Sequence, residues 1–108
     1  MKNDELEIKE DKSPGTSRFI LKGSVNAVSA EALLYTLEDA LKEEQKTIIV
    51  NMFQVEYLSS IGIRVILKIY KKAAEAGVKF NIERPSENVK NVLGMVALKD
   101  LLVEVEAG

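Results

Sequence analysis

The chain has 108 residues, about one compact domain's worth, and 46% hydrophobic with 30% charged residues is the balance of a folded globular protein. Its formal net charge of −2 argues against a phosphate-backbone binder, and no apolar run approaches the ~20 residues of a membrane-spanning helix. It contains no cysteine and no histidine, so disulfides, thiol catalysis, zinc–thiolate sites and the commonest neutral-pH base are all excluded.

The opening "MKNDELEIKEDKSPG" is charged throughout and has no apolar signal core. Residues 1–4 are expected to be loose. Leu6 to Glu10 alternate apolar and charged, as a half-exposed strand does. Pro14-Gly15 marks a turn, and Arg18 to Gly23 supply a second strand, so the two form a hairpin.

A helix follows in "SVNAVSAEALLYTLEDALKEEQ". Ser29 is the expected N-cap, and Glu31 falls in the first turn, where a negative charge suits the helix dipole. Leu33, Leu34, Leu37, Ala40 and Leu41 recur on one face. Thr47 to Phe53 form a short apolar, β-branched run that reads as a central strand. Asn51 ends it and leads into a loop, in which Met52, Phe53 and Val55 are either core or an exposed apolar anchor.

The second helix runs from Ser60 to Ala76, with Gly77 ending it in a left-handed conformation. Its expected buried stripe is Ile61, Val65, Ile66, Ile69 and Ala73, widened by Ile63, Leu67 and Tyr70. Arg64, Lys68, Lys71 and Lys72 form either a solvated face or a docking surface continuing from Ser60. Val78 to Glu83 alternate as a strand. Pro85-Ser86 opens a third helix, whose apolar side is Val89, Val92, Leu93 and Val96 and which Gly94 weakens. The segment Met95–Leu98 is expected in the core and not in a ligand pocket, and the "LKDLLVEVE" tail reads as a short turn or helix followed by an alternating edge strand.

Strands alternating with helices imply right-handed crossovers and an α/β fold. The expectation is a single domain over residues 1–108. It has a mostly parallel central sheet, an antiparallel N-terminal edge hairpin and helices packed mainly on one side.

Three stretches resemble the STAS domain, in particular the bacterial anti-sigma factor antagonists. In "LKGSVNAVSAEALLYTLEDAL" Gly23 matches the family glycine, and Asn26 stands where an acid precedes the first helix. "IIVNMFQVEYLSSIGIRVIL" is similar to the core motif through Asn51, Tyr57, Ser60, Gly62, Ile63 and Val65. "AAEAGVKFNIERPSENVKNVLGMVALKDLL" is similar to the closing strand and helix. The resemblance covers nearly the whole chain. It implies a cytoplasmic, non-enzymatic regulator of transcription without cofactor or metal, acting as a monomer or weak dimer. Its partner is an anti-sigma factor that is itself a serine kinase, with no direct contact to nucleic acid or membrane.

The resemblance places the phosphorylated serine at Ser60, with Ser59 the acceptor if the register differs by one. Two positions depart from the motif: the family aspartate is Ser59 here, and the small residue after the serine is Ile61. Amides at Asn26 and Asn51 and a serine at Ser59, where acids are usual, lower the negative charge. That implies either a less basic partner or a site no longer modified. The residues expected at the interface are Asn26, Asn51, Phe53, Tyr57, Ser59, Ser60, Ile61, Gly62 and Arg64.

Helix-end physics supports the placement of Ser60. The first turn of a helix has unpaired N–H groups and partial positive charge, so phosphate there leaves the fold intact. Against this stands the ordinary role of such serines as caps; Ser59 capping while Ser60 projects outward satisfies both. Asn26 and Asn51 carry the same alternative, as turn residues bonding nearby backbone.

Two other function classes stand beside this one. A small-ligand or nucleotide sensor would use the same loop and helix end, although "SSIGIR" lacks the spacing and lysine of a phosphate loop. An enzyme would have to draw on Glu56 with Ser59 or Ser60, or on Glu83 with Lys79.

Overall fold

The computed structural model describes residues 6–43 and 45–95. Its elements are β1 (Leu6–Ser13), β2 (Thr16–Val25), α1 (Ala27–Lys42), β3 (Thr47–Leu58), α2 (Ser60–Ala76), β4 (Lys79–Glu83) and α3 (Glu87–Met95). The sheet order is β1-β2-β3-β4. β1 and β2 are antiparallel; β2 with β3 and β3 with β4 are parallel. The Pro14-Gly15 turn joins a hairpin longer than the sequence pattern gives, pairing Ser13 with Thr16 and Leu6 with Gly23. Gly15 takes a φ of 80°, which a side chain would resist.

Two successive parallel crossovers of the same hand put α1 and α2 on one face of the sheet. That face carries Phe19 and Leu21 from β2, Ile48, Val50 and Met52 from β3, and Phe80 and Ile82 from β4. Against it pack Ala30, Leu33, Leu37 and Ala40 of α1 with Val65, Ile66, Ile69 and Ala73 of α2. Each large side chain so buried is worth about 1.5–3 kcal/mol. The opposite face is only half-buried, at Arg18, Ile20, Ile49, Asn51, Asn81 and Glu83. Helices on one side of a mostly parallel sheet with an antiparallel edge is the expected α/β arrangement.

β3 departs most from expectation, because the segment read as a loop after Asn51 stays in the sheet to Leu58. Against β2 the register passes from Ile20↔Asn51 to Lys22↔Gln54, then from Gly23↔Val55 to Ser24↔Tyr57. Each step gives β3 one more residue than β2, the mark of a β-bulge. Buried positions therefore fall at Met52, Val55 and Leu58, three apart instead of two. Phe53, Gln54, Glu56 and Tyr57 are left exposed between them.

β4 ends at Glu83, opposite Asn51, so the rest of β3 needs other partners on that edge. The start of α3 supplies them. Ser86 N–H donates to the Met52 carbonyl (3.2 Å), its hydroxyl to the Val55 carbonyl (2.8 Å), and Asn88 Nδ2 to the Glu56 carbonyl (2.9 Å). Ser86 Oγ also accepts from Val89 N–H (3.3 Å), so one side chain caps α3 and docks it. Val89 is buried. The side chains at 92, 93 and 96, the 95–98 core segment, the C-terminal tail and the expected loose residues 1–4 lie outside what is described.

Ser86→Ala removes the cap and orphans a strand carbonyl together; a loss of about 1–2 kcal/mol in urea unfolding is expected. An unchanged midpoint would mean that α3 is held by its apolar side alone.

Candidate functional site

β2 and β3 run parallel and end side by side, so α1 and α2 begin together at one edge of the sheet. The join is fixed by a backbone bond from Ser59 N–H to the Val25 carbonyl (2.9 Å).

On the α1 side the N-cap is Asn26 and not Ser29. Asn26 Oδ1 accepts from Val28 and Ser29 N–H, both at 3.0 Å. Ser29 Oγ reciprocates by accepting Asn26 N–H (2.9 Å) and donates to the Ser24 carbonyl (2.8 Å). This is a capping box with serine in the place usually taken by Glu or Gln. The helix therefore starts earlier than expected, and Glu31 lies beyond its first turn, which holds no acid.

On the α2 side the expected limits hold. Ser59 is the N-cap: its Oγ accepts Gly62 N–H (3.1 Å) and its carbonyl accepts Ile63 N–H (2.9 Å). Gly77, with a φ of 74°, closes the helix. The two adjacent hydroxyls thus differ sharply. Ser59 is half-buried and committed to the cap, whereas Ser60 is the first helical residue and exposed.

Gly62 explains how the helix start can sit so low. A Cβ at this position would lie 2.7 Å from Leu58 Cδ1 and 2.7 Å from Val25 Cγ1, far inside contact distance. The missing side chain lets the first turn rest directly on the ends of β2 and β3. It also displaces Ile61, which was expected in the buried stripe but is 43% exposed. Gly62, Val65, Ile66, Ile69 and Ala73 define the buried direction, and Ile61 lies off it. Tyr70 is likewise exposed, while Ile63 and Leu67 are half-buried.

At the same edge Tyr57 is exposed, beside Ser24 in the ladder, and Arg64 is exposed one turn beyond Ser60. Val28, on the first turn of α1, is 82% exposed and was missed in the sequence reading. Its signal was present: a valine two residues after Asn26, off the Leu33–Leu37 stripe. Asn26, Tyr57, Ser59, Ser60, Ile61, Gly62 and Arg64 therefore gather at one end of the molecule.

Asn51 and Phe53 do not join them. Asn51 lies within β3, well short of its end, on the half-buried face of the sheet. Its Nδ2 donates to Glu83 Oε2 (2.9 Å), and its Oδ1 accepts Phe53 N–H (3.1 Å). Arg18 closes the network with an ion pair to Glu83 at 3.0 Å. The Phe53 ring lies under the Arg84 guanidinium, 4.8 Å from centroid to carbon. Arg84 itself has a φ of 50°, an uncommon conformation for a residue with a side chain. Asn51 thus bonds nearby backbone, one of its two expected roles, and bridges two strands; these two bonds reach no serine at the helix start.

Burial alone would raise the Glu83 pKa. The hydrogen bond from Asn51, that from Arg18, and the charges of Arg18 and Arg84 outweigh it and hold the carboxyl below its ordinary value. Of the two pairings offered for an enzyme, that of Glu83 with Lys79 does not converge. Glu83 is taken by Arg18 and Asn51, and Lys79 stands at the other end of β4. Glu56 is exposed. Among the described residues no three Asp or Glu side chains cluster to hold a metal. A cleft of about 440 Å³, lined by Glu38, Leu41, Lys42, Lys72, Glu75 and Ala76, lies at the far ends of α1 and α2 from Ser60.

The STAS domain family matches residues 7–107. This chain belongs to the STAS domain family. Among curated relatives, BtrV of Bordetella bronchiseptica, named as a candidate anti-sigma factor antagonist, is 28% identical over 67 residues. That match spans 62% of this STAS domain and 58% of the relative. The fold is shared with an anti-sigma factor antagonist from Mycobacterium paratuberculosis, at a TM-score of 0.79 and 18% identity, covering 95% of this chain and 96% of that one. It is also shared with SpoIIAA, an anti-sigma factor antagonist, in its unphosphorylated form: TM-score 0.79, 18% identity, 88% and 84% coverage. Phosphorylated SpoIIAA of Bacillus gives a TM-score of 0.74 at 16% identity, with 88% and 87% coverage.

Two outcomes test this geometry. Gly62→Ala gains helix propensity but overpacks Val25 and Leu58; a net loss of about 1–2 kcal/mol is expected from chemical denaturation. The second concerns acid. The folded-state pKa of Glu83 is depressed, so its contribution is full above the ordinary carboxylate pKa of about 4.3 and is lost as pH falls through the folded value. Glu83→Gln is expected to flatten the acid limb of the stability–pH curve, measured by urea unfolding at successive pH values. An unaltered limb would show that the network carries no pH-dependent stability.

Proposed function

We propose that this STAS domain is an anti-sigma factor antagonist, binding an anti-sigma factor with serine-kinase activity and released from it when Ser60 is phosphorylated. The supporting observation is the division between the two hydroxyls: Ser59 is spent on Gly62 N–H, and Ser60 is exposed at the first position of the helix. The names of the relatives point to the same class of partner.

The partner-facing surface in this reading is Ser60 with Ile61, Tyr57, Val28 and Arg64 around it, an exposed apolar group with one cation. A phosphate adds about 1.5–2 negative charges among free helix N–H groups, so the domain keeps its fold. Forcing that dianion into a fitted interface costs several kcal/mol, and ~1.4 kcal/mol is tenfold in affinity. Binding is therefore switched at the surface, without refolding. The reading carries a cytoplasmic location, a monomer or weak dimer, and no cofactor or direct contact with nucleic acid. No described helix is long and apolar enough to cross a membrane.

The test pairs this chain with a native anti-sigma factor, ATP and mass spectrometry. Phosphate is expected on Ser60, and Ser60→Ala is expected to bind without being modified. Ser60→Asp should keep the wild-type melting temperature and bind at least about tenfold more weakly. Normal binding by Ser60→Asp would remove the electrostatic switch. No phosphate with any native partner, together with a large thermal shift on adding nucleotide, would favour a ligand sensor instead.

A further inference from the structure

We propose that Arg64 is the residue of this chain that binds the phosphate carried by Ser60. The inference rests on Ser60 being the modified serine.

Ser60 and Arg64 are four residues apart on α2 and both are exposed. Side chains at this spacing stand on the same helix face with Cβ atoms about 5–6 Å apart. An acidic group N-terminal to a basic one at this spacing is also the favoured orientation. A guanidinium can offer two parallel N–H groups to two oxygens of one phosphate, which an ammonium cannot.

Arg64 is uncommitted. It takes part in none of the ion pairs or side-chain hydrogen bonds found among the described residues. The acids nearest the starts of α1 and α3 and the end of β3 in sequence are Glu31, Glu87 and Glu56, and none forms an ion pair with it. The Glu31 carboxylate accepts the Tyr35 hydroxyl (3.4 Å). Within α2 the first acid is Glu75, far down the helix. Lys72 is held by Glu38 (2.7 Å) and the charge of Lys68 also acts on that carboxylate, so Arg64 heads the basic ridge of Arg64, Lys68 and Lys71 without an acid of its own.

Phosphorylation then acts twice on the same surface. It adds a dianion, and it draws the guanidinium at the head of the ridge away from any acidic group on a partner. The cation that serves binding in one state holds the phosphate in the other.

The experiment installs phosphoserine at position 60 of the full chain during translation and follows its second ionisation, normally near pH 6, by phosphorus NMR at low salt. The midpoint is expected to lie about half a unit lower in the wild type than in Arg64→Gln. Arg64→Lys should recover part of the shift, and Lys68→Gln should leave it unchanged. The Arg64 Nε–H resonance should move on phosphorylation. The same midpoint in wild type and Arg64→Gln, or an unmoved Nε–H resonance, would overturn the assignment. Phosphoserine is present here whether or not a kinase recognises the chain. Failure of native kinases to modify Ser60 would remove the switch, whereas equal midpoints would remove the clamp.

Discussion

The close approach of Gly62 to Val25 and Leu58 sets the position of everything at the end where α1 and α2 begin. With no side chain at that point, the first turn of α2 rests on the strand ends themselves. Ser59 is then near enough to bond the Val25 carbonyl through its own N–H and to cap the helix through its hydroxyl. Ser60 and Ile61 have no room beneath the turn and face outward. A larger residue at position 62 would lift the turn, loosen the cap and change which hydroxyl is displayed. The chemistry of the end is therefore decided by a residue that has none.

α2 was legible because its signals were local and agreed with one another. Ser59 and Gly77 bracket a helical stripe, and the limits followed. Ser60 was legible as the outward hydroxyl because only one residue can occupy the cap. Asn26 was obscured by competition: Ser29 is also a good capping residue, and the capping box uses both, with Ser29 in the reciprocal role. Tertiary pairing hid the rest. The bulges in β3 change its buried spacing from two to three, so "MFQVEYL" matches neither strand nor helix period. Once that segment was read as a loop, Asn51 became a strand end near the serines. The register with Ile20 and Glu83 puts it on the other face instead.

The two faces of the sheet divide the work. One is apolar and sealed by α1 and α2. The other carries the Arg18–Glu83–Asn51 network, which ties β2, β3 and β4 together through side chains. That network is half-buried, so its charges gain from reduced screening while still reaching water. It braces the central strands without borrowing any group from the helix starts, leaving those free of structural charge.

The docking of α3 along β3 also determines how the sheet meets its surroundings. Where β4 stops, Ser86 and Asn88 occupy the carbonyls that another chain would otherwise seek. At the opposite margin β1 presents Glu7, Lys9, Glu10, Asp11 and Lys12, a poor template for a foreign strand. Strand addition is discouraged along β1 and along the part of β3 that runs beyond β4. The tip where the two long helices begin carries the exposed Val28, Tyr57 and Ile61 instead, and the sheet serves as its mount.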